Sequence, residues 1–196
     1  MKGFTKNLVL VLAIALVLTG CKQPTQQIND AQAAIDDVKK AGADKYAVDD
    51  FKKLDDAMKA ANDEIAAQDK KFFKKFGTGK DMLAKVKTDA DALKAALPGK
   101  IEAAKNAAVQ AQTEAKAAID EAKALLEKAP KGKGTKKDID ALKADLVGAE
   151  TAFTEIQTAL DAKDYIGAAD KAKAVKEKAV AVGDQVKAAI EKTKKK

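Results

Sequence analysis

The spacing of apolar residues constrains this chain more than any other feature. From Ile28 onward they recur at alternating steps of three and four. The first run is Ile28, Ala31, Ile35, Val38, the second Phe51, Leu54, Met58, Ala61, Ile65, and the third Leu83, Val86, Ala90, Leu93, Leu97. A fourth is Ile101, Ala104, Ala108, Ala111, Ala115, Ala118, Ala122, Leu125; a fifth is Ile139, Leu142, Leu146, Ala149, Phe153, Ile156, Leu160. The last is Tyr165, Ala168, Ala172, Val175, Ala179, Val182, Val186, Ala189. Such spacing lays each run along one stripe of an α-helix, whereas a strand, with period two, would scatter it over both faces. The pattern predicts an all-α fold of about six helices, arranged as elongated antiparallel hairpins or a bundle and packed through heptad-like seams. Alanine fills many seam positions. Each buries little apolar area at ~25 cal/mol per Å², so helix length and propensity have to supply the rest.

Helix-stop chemistry punctuates the runs. "AGADKYA" follows the first, Gly77-Thr78-Gly79 the second, Leu97-Pro98-Gly99-Lys100 the third and "APKGKG" (129–134) the fourth, while "DAKDY" (161–165) is a weaker break. Thr78 and Thr135 each precede an acid by three residues, Asp81 and Asp138, which is the spacing of a threonine cap. A stop at Pro98 makes the fourth helix about 30 residues, or ~45 Å. These breaks divide the body into a helical hairpin region, 28–97, and a long-helix bundle region, 98–196.

Composition removes most catalytic chemistry. The 196 residues include no His and, read along the rows, no Ser and no Arg. Ser-His-Asp and Cys-His constellations are therefore absent, as are zinc sites of the usual His/Cys type and the guanidinium fork that grips phosphates or guanine edges. General acid–base work would fall to Asp, Glu, Lys or Tyr. The chain is read as non-enzymatic, with no metal and no cofactor. Its net charge of +7 is spread among 30 acids, which describes a mixed solvated surface and not a nucleic-acid footprint. "GTGKD" and "GKGTKK" lack the spacing of a phosphate loop, and no strand precedes either.

The N-terminus carries an address. Lys2 and Lys6 precede eleven apolar residues, Leu8 to Leu18. As a helix these reach ~16 Å, half of a ~30 Å hydrocarbon core, so the segment is a signal-peptide core and not a spanning helix. Leu18-Thr19-Gly20-Cys21 follows, and Cys21 is the one cysteine in the chain. This stretch resembles the lipobox of bacterial lipoproteins. The resemblance implies removal of residues 1–20 by a signal peptidase that recognises Leu18, Thr19 and Gly20, and lipid attachment to Cys21. Two or more acyl chains hold a protein stably on a membrane where one does so marginally. Cleavage lowers the net charge by two, since Lys2 and Lys6 leave. Residues 22–27, "KQPTQQ", read as a short flexible tether, so that 21–27 form the lipidated N-terminus and its leash. Lys22 is not the Asp associated with inner-membrane retention, which points to the periplasmic face of the outer membrane in a didermal organism.

A second resemblance lies in the body. "AAIDDVKKAGADKYAVDDFKKLDDAMKAANDEI", residues 33–65, with its paired alanines, Gly42-Ala43 and Tyr46-Ala47, is similar to a conserved domain of unknown function in small helical bacterial lipoproteins. The resemblance implies a helical hairpin in an envelope protein and supplies no activity.

Two further stretches are candidates for contact with a partner. "KKFFKKF" places Lys70, Lys71, Lys74 and Lys75 around Phe72, Phe73 and Phe76. One reading is a basic aromatic patch that touches anionic headgroups or a glycan. The other has the rings plugging the end of the bundle while the lysines snorkel, and Phe72, seven residues beyond Ile65, favours it. The terminus "EKTKKK" ends at Lys196, which resembles the terminal lysine of murein lipoproteins that is joined to peptidoglycan. The alternative there is a solvated end that complements the helix dipole.

Taken together, these features lead us to expect a lipid-anchored, exported envelope protein with a structural, tethering or interaction role. Its partners would be the membrane, through Cys21, and an envelope protein or peptidoglycan, with oligomerisation through the seams left open. The alternatives are a helical carrier or sensor of a small ligand, or murein attachment through Lys196. A ligand cavity wants large residues around a void, and alanine seams argue against one.

Overall fold

The computed structural model describes residues 22–130, 132 and 135–194. Leu18, Thr19, Gly20, Cys21 and Lys196 lie outside the described residues. Among those described there are six helices and no strand: α1 (Thr25–Lys40), α2 (Ala43–Tyr46), α3 (Val48–Asp69), α4 (Gly77–Glu127), α5 (Lys136–Asp161) and α6 (Tyr165–Lys194). The fold is all-α. Every seam residue named above is buried or half-buried, because the three–four spacing turns each run to one side of its helix.

Six is the expected number, but the membership differs. The third and fourth runs are one helix, α4, and Pro98 sits inside it. Proline lacks an amide proton and crowds the carbonyl four residues back, so by local chemistry it is a helix stop. Lys94, Pro98 and Gly99 are all exposed, so water can take the place of the lost bond to the Lys94 carbonyl and the helix continues. The additional helix is α2, a single turn inside "AGADKYA". Gly42 enters it with a φ of 98°, left-handed backbone that glycine adopts without a Cβ penalty. Its amide donates to the Lys39 carbonyl at 2.8 Å and so closes α1.

The chain divides into two compact units at the Pro98–Gly99 bond. In the first, α1, α3 and residues 77–98 of α4 share a core that includes Ile35, Val38, Leu54, Ile65, Leu83 and Val86. A Cβ built on Gly79 would lie 2.5 Å from Ile65 Cγ1, so glycine lets the start of α4 press against α3. The tether is shorter than residues 22–27. Helix α1 begins at Thr25, Pro24 is buried, and the Pro24 carbonyl accepts the Ile28 amide at 3.0 Å. Proline with its fixed φ suits a helix start, and Gln26 extends the order by donating to Asp30 at 2.8 Å.

In the second unit, residues 99–127 of α4 pack with α5 and α6. Ion pairs flank the alanine-rich seams and fix the topology. Glu114 meets Lys176 at 2.8 Å and Glu121 meets Lys187 at 2.9 Å. Both partners advance along the sequence together, so α4 and α6 run parallel. Gln112 meets Gln157 and Lys123 meets Glu150; here one advances as the other retreats, so α5 runs antiparallel. The weaker break at 161–165 is a complete turn. The Asp164 amide donates to the Ala159 carbonyl and the Lys163 amide to the Leu160 carbonyl, both at 2.9 Å. That pairing ends a helix in a Schellman motif, with Lys163 at φ 59° where glycine is usual.

Neither threonine caps as its spacing suggested. The Phe76 carbonyl accepts the Lys80 amide at 2.9 Å, so α4 starts before Thr78, drawn back by burial of the Phe76 ring. Thr135 does stand at the start of α5, but its hydroxyl donates to the carbonyls of Pro130 and Gly132 at 3.0 and 3.1 Å instead of accepting a helix amide. Its own amide is already taken by the Gly132 carbonyl at 3.1 Å, which leaves the acid at 138 no amide to reach back to.

Candidate functional site

The connection between α3 and α4, residues 70–76, carries the most exposed apolar surface in the described chain. Phe72 is 93% exposed and Phe73 77%, while Phe76 is 2% exposed. The bundle-plug reading holds for Phe76 and fails for the other two. Its argument was a helical step of seven from Ile65 to Phe72, but α3 ends at Asp69 and the helical phase is lost there. The Lys71 amide closes the last turn on the Gln68 carbonyl at 3.0 Å.

Two contacts hold the connection in place. Phe76 roots its far end in the core, and Lys74 Nζ bridges back to Asp69 Oδ1 at 2.7 Å. Between them, the Phe72 and Phe73 rings stack edge to face, 5.0 Å between centroids and 88° between planes. An edge-to-face pair is a favourable aromatic arrangement, and here it presents both rings outward. Lys70, Lys71 and Lys75 are exposed and have no ion-pair partner among the described residues. The segment thus offers two adjacent aromatic rings and three uncompensated positive charges. Chemically it can enter an apolar interface and bind anions at its edge.

The remaining surface is a lattice of exposed ion pairs. Some are local, such as Lys52 with Asp56 and Lys136 with Asp140; others bridge helices. Donation from Lys176 first, then from Gln110, holds Glu114 below its ordinary value, and Lys171 does the same for Glu155. Hydrogen bonds to Glu150 and Glu121 raise Lys123 and Lys187. Exposed pairs of this kind are screened by salt and add little each. Among the described residues no cluster of three or more carboxylates is placed to hold a metal ion, and no helix is long and apolar enough to cross a membrane. A groove of about 830 Å³ runs between α5 and α6, lined by Ile139, Leu142, Asp145, Ala189 and Lys192 among others. It is partly open to solvent, and its lining is mixed, with Asp138, Gln185 and Thr193 beside the apolar residues.

The structure brings Lys70, Lys71, Phe72, Phe73, Lys74 and Lys75 onto one exposed segment and takes Phe76 into the core. Sequence reasoning missed that split: two adjacent phenylalanines cannot both follow one helical stripe, but that does not say which of the three rings is buried. Compared with known proteins, the chain matches no family model, and no curated protein or solved structure is significantly similar to it.

Proposed function

We propose that this is a lipid-anchored, non-catalytic cell-envelope protein that acts as a tether or interaction module. The observation that carries the reading is Leu18-Thr19-Gly20-Cys21 directly behind an eleven-residue apolar run. Acyl chains on Cys21 hold the protein at a membrane surface, the periplasmic face of the outer membrane where there are two membranes. The described helices begin four residues later, at Thr25, so the helical body is held close to its anchor. The seams then build two helical units whose outer faces present alternating lysines and carboxylates to an envelope protein or to peptidoglycan.

Expression of Cys21→Ala in a host that processes lipoproteins tests it. The wild-type chain is expected as a shortened form that fractionates with membranes, and Cys21→Ala as uncleaved precursor or as soluble protein. A Cys21→Ala protein that is still cleaved and still fractionates with lipid would refute the anchor. Crosslinking in intact envelopes then identifies the partner.

A further inference from the structure

We propose that the 70–76 connection is a second membrane contact. Phe72 and Phe73 enter the interface of an anionic bilayer, Lys70, Lys71 and Lys75 bind its headgroups, and the contact lies at the end of the first unit from which the lipid-bearing cysteine extends. The inference rests on the lipid-anchored reading of Cys21.

The topology of the first unit places both features at one end. Helices α3 and α4 form a hairpin around residues 70–76, with Gly79 pressed against Ile65. Farther along α4, Lys94 is paired with Asp37 near the end of α1 at 3.3 Å. Helix α1 reaches α3 through the short connection at 41–47, and its buried Ala31, Ile35 and Val38 pack on the same core. It therefore runs antiparallel to α3 and parallel to α4. At ~1.5 Å per residue, Gly79 to Lys94 spans ~22 Å of α4 and Thr25 to Asp37 spans ~18 Å of α1. Thr25 thus stands within a helical turn of the Gly79–Ile65 level, and α3 carries the chain ~6 Å past that level to Asp69. The start of α1 and the exposed phenylalanines open at the same end.

Reach and charge agree with that placement. Cys21 is four residues from Thr25, a span of at most ~14 Å when extended, so acyl chains on it would bring this end of the unit against the bilayer. Lysines crowd this end, where Asp81 is also exposed and Asp69 is paired with Lys74: Lys22 is exposed, and between Lys22 and Asp30 the chain has no acid. Two helix N-termini, of α1 and α4, meet one C-terminus there, which adds partial positive charge. Aromatic rings beside lysines are the chemistry of an interfacial contact. Anchoring beyond the acyl chains would fix the orientation of the first unit at the surface, which lipid on a tether does not do by itself.

The chain has no tryptophan, so Phe73→Trp in the full-length protein reports on this segment alone. The variant is isolated from membranes in detergent and reconstituted into phosphatidylglycerol–phosphatidylethanolamine vesicles. Emission should shift to the blue and be quenched by lipids brominated on their acyl chains. Changing Lys70, Lys71 and Lys75 together to Glu should abolish both effects while the helical circular dichroism is unchanged. Water-like emission, unquenched in vesicles, overturns the proposal. So does a blue shift that needs no vesicles and grows with protein concentration, which assigns the rings to a second copy. A shift seen only on adding peptidoglycan sacculi assigns them to the wall and overturns it as well. The mass of the peptide containing Cys21, measured on the same sample, tests the anchor separately. Unmodified Cys21 would sink the anchored reading while the quenching still decides the segment.

Discussion

The three phenylalanines of residues 72–76 offer a sharp test of how the first unit is built, because they are close in sequence and opposite in environment. Truncating Phe76, at 2% exposure, removes a ring from a packed core and leaves a cavity, at a cost of ~3–5 kcal/mol. The ring also roots the start of α4, where the Phe76 carbonyl accepts the Lys80 amide, so the loss should be felt through that helix and through Ile65 opposite it. Phe72, at 93% exposure, has almost no burial to lose. Its edge-to-face contact with Phe73 is solvated, and Phe72→Ala should cost less than ~0.5 kcal/mol, the usual range for surface changes. Phe73→Ala should behave alike. Urea unfolding of the full chain followed by circular dichroism, with hydrogen exchange to separate α1 and α3 from α5 and α6, reads the difference. Phe76→Ala should lower the midpoint and protection of the first unit and leave α5 and α6 unchanged. If Phe72→Ala costs as much as Phe76→Ala, the ring is packed on the body and the burial argument is wrong.

Other substitutions probe the same physics elsewhere. Gly77→Ala, where a Cβ meets nothing within 4 Å, should stabilise through helix propensity by up to ~1 kcal/mol. Gly79→Ala should instead destabilise by ~1–2 kcal/mol, since its Cβ is driven into the buried Ile65 side chain; thermal melts giving both changes the same sign would contradict the close approach. Lys163→Gly and Lys163→Ala both remove the side chain's interactions, but only glycine relieves the left-handed backbone, so the glycine variant should be the more stable by ~0.5–1 kcal/mol; equal midpoints argue against strain at this turn. Glu114, Glu155 and Asp140 are all held below their ordinary values, chiefly by donation from Lys176, Lys171 and Lys136 respectively. Their contribution is present above the ordinary carboxylate range of ~4 and is lost as pH falls through the lower folded values. Melts from pH 6 down to pH 3 should show a modest drop that high salt reduces, and a flat profile would mean that the pairs contribute nothing.

What could be read from sequence was the seam. From Ile28 to Ala189 the three–four rhythm told which residue of each turn goes inward, because burial in a helix bundle is set by angular position and little else. Punctuation was less legible. Pro98 reads as a stop locally, yet a solvated carbonyl on an exposed face lets α4 run through it, and exposure is a tertiary fact. Thr78 and Thr135 have the spacing of caps, but the Phe76 ring and the backbone bond to Gly132 decided where those helices begin. At the candidate site, the cluster of lysines and phenylalanines was visible as a composition. Which ring turns in and which two turn out depended on where α3 loses its helical phase, a single-residue matter that no stripe argument resolves.

Everything functional in this account descends from Cys21, and the most direct measurement is the mass of the N-terminal peptide of the mature protein. The expected peptide begins at Cys21, carries a diacylglyceryl group and partitions with its acyl chains into organic solvent. A mature chain that begins at any other residue, or at an unmodified Cys21, would contradict it.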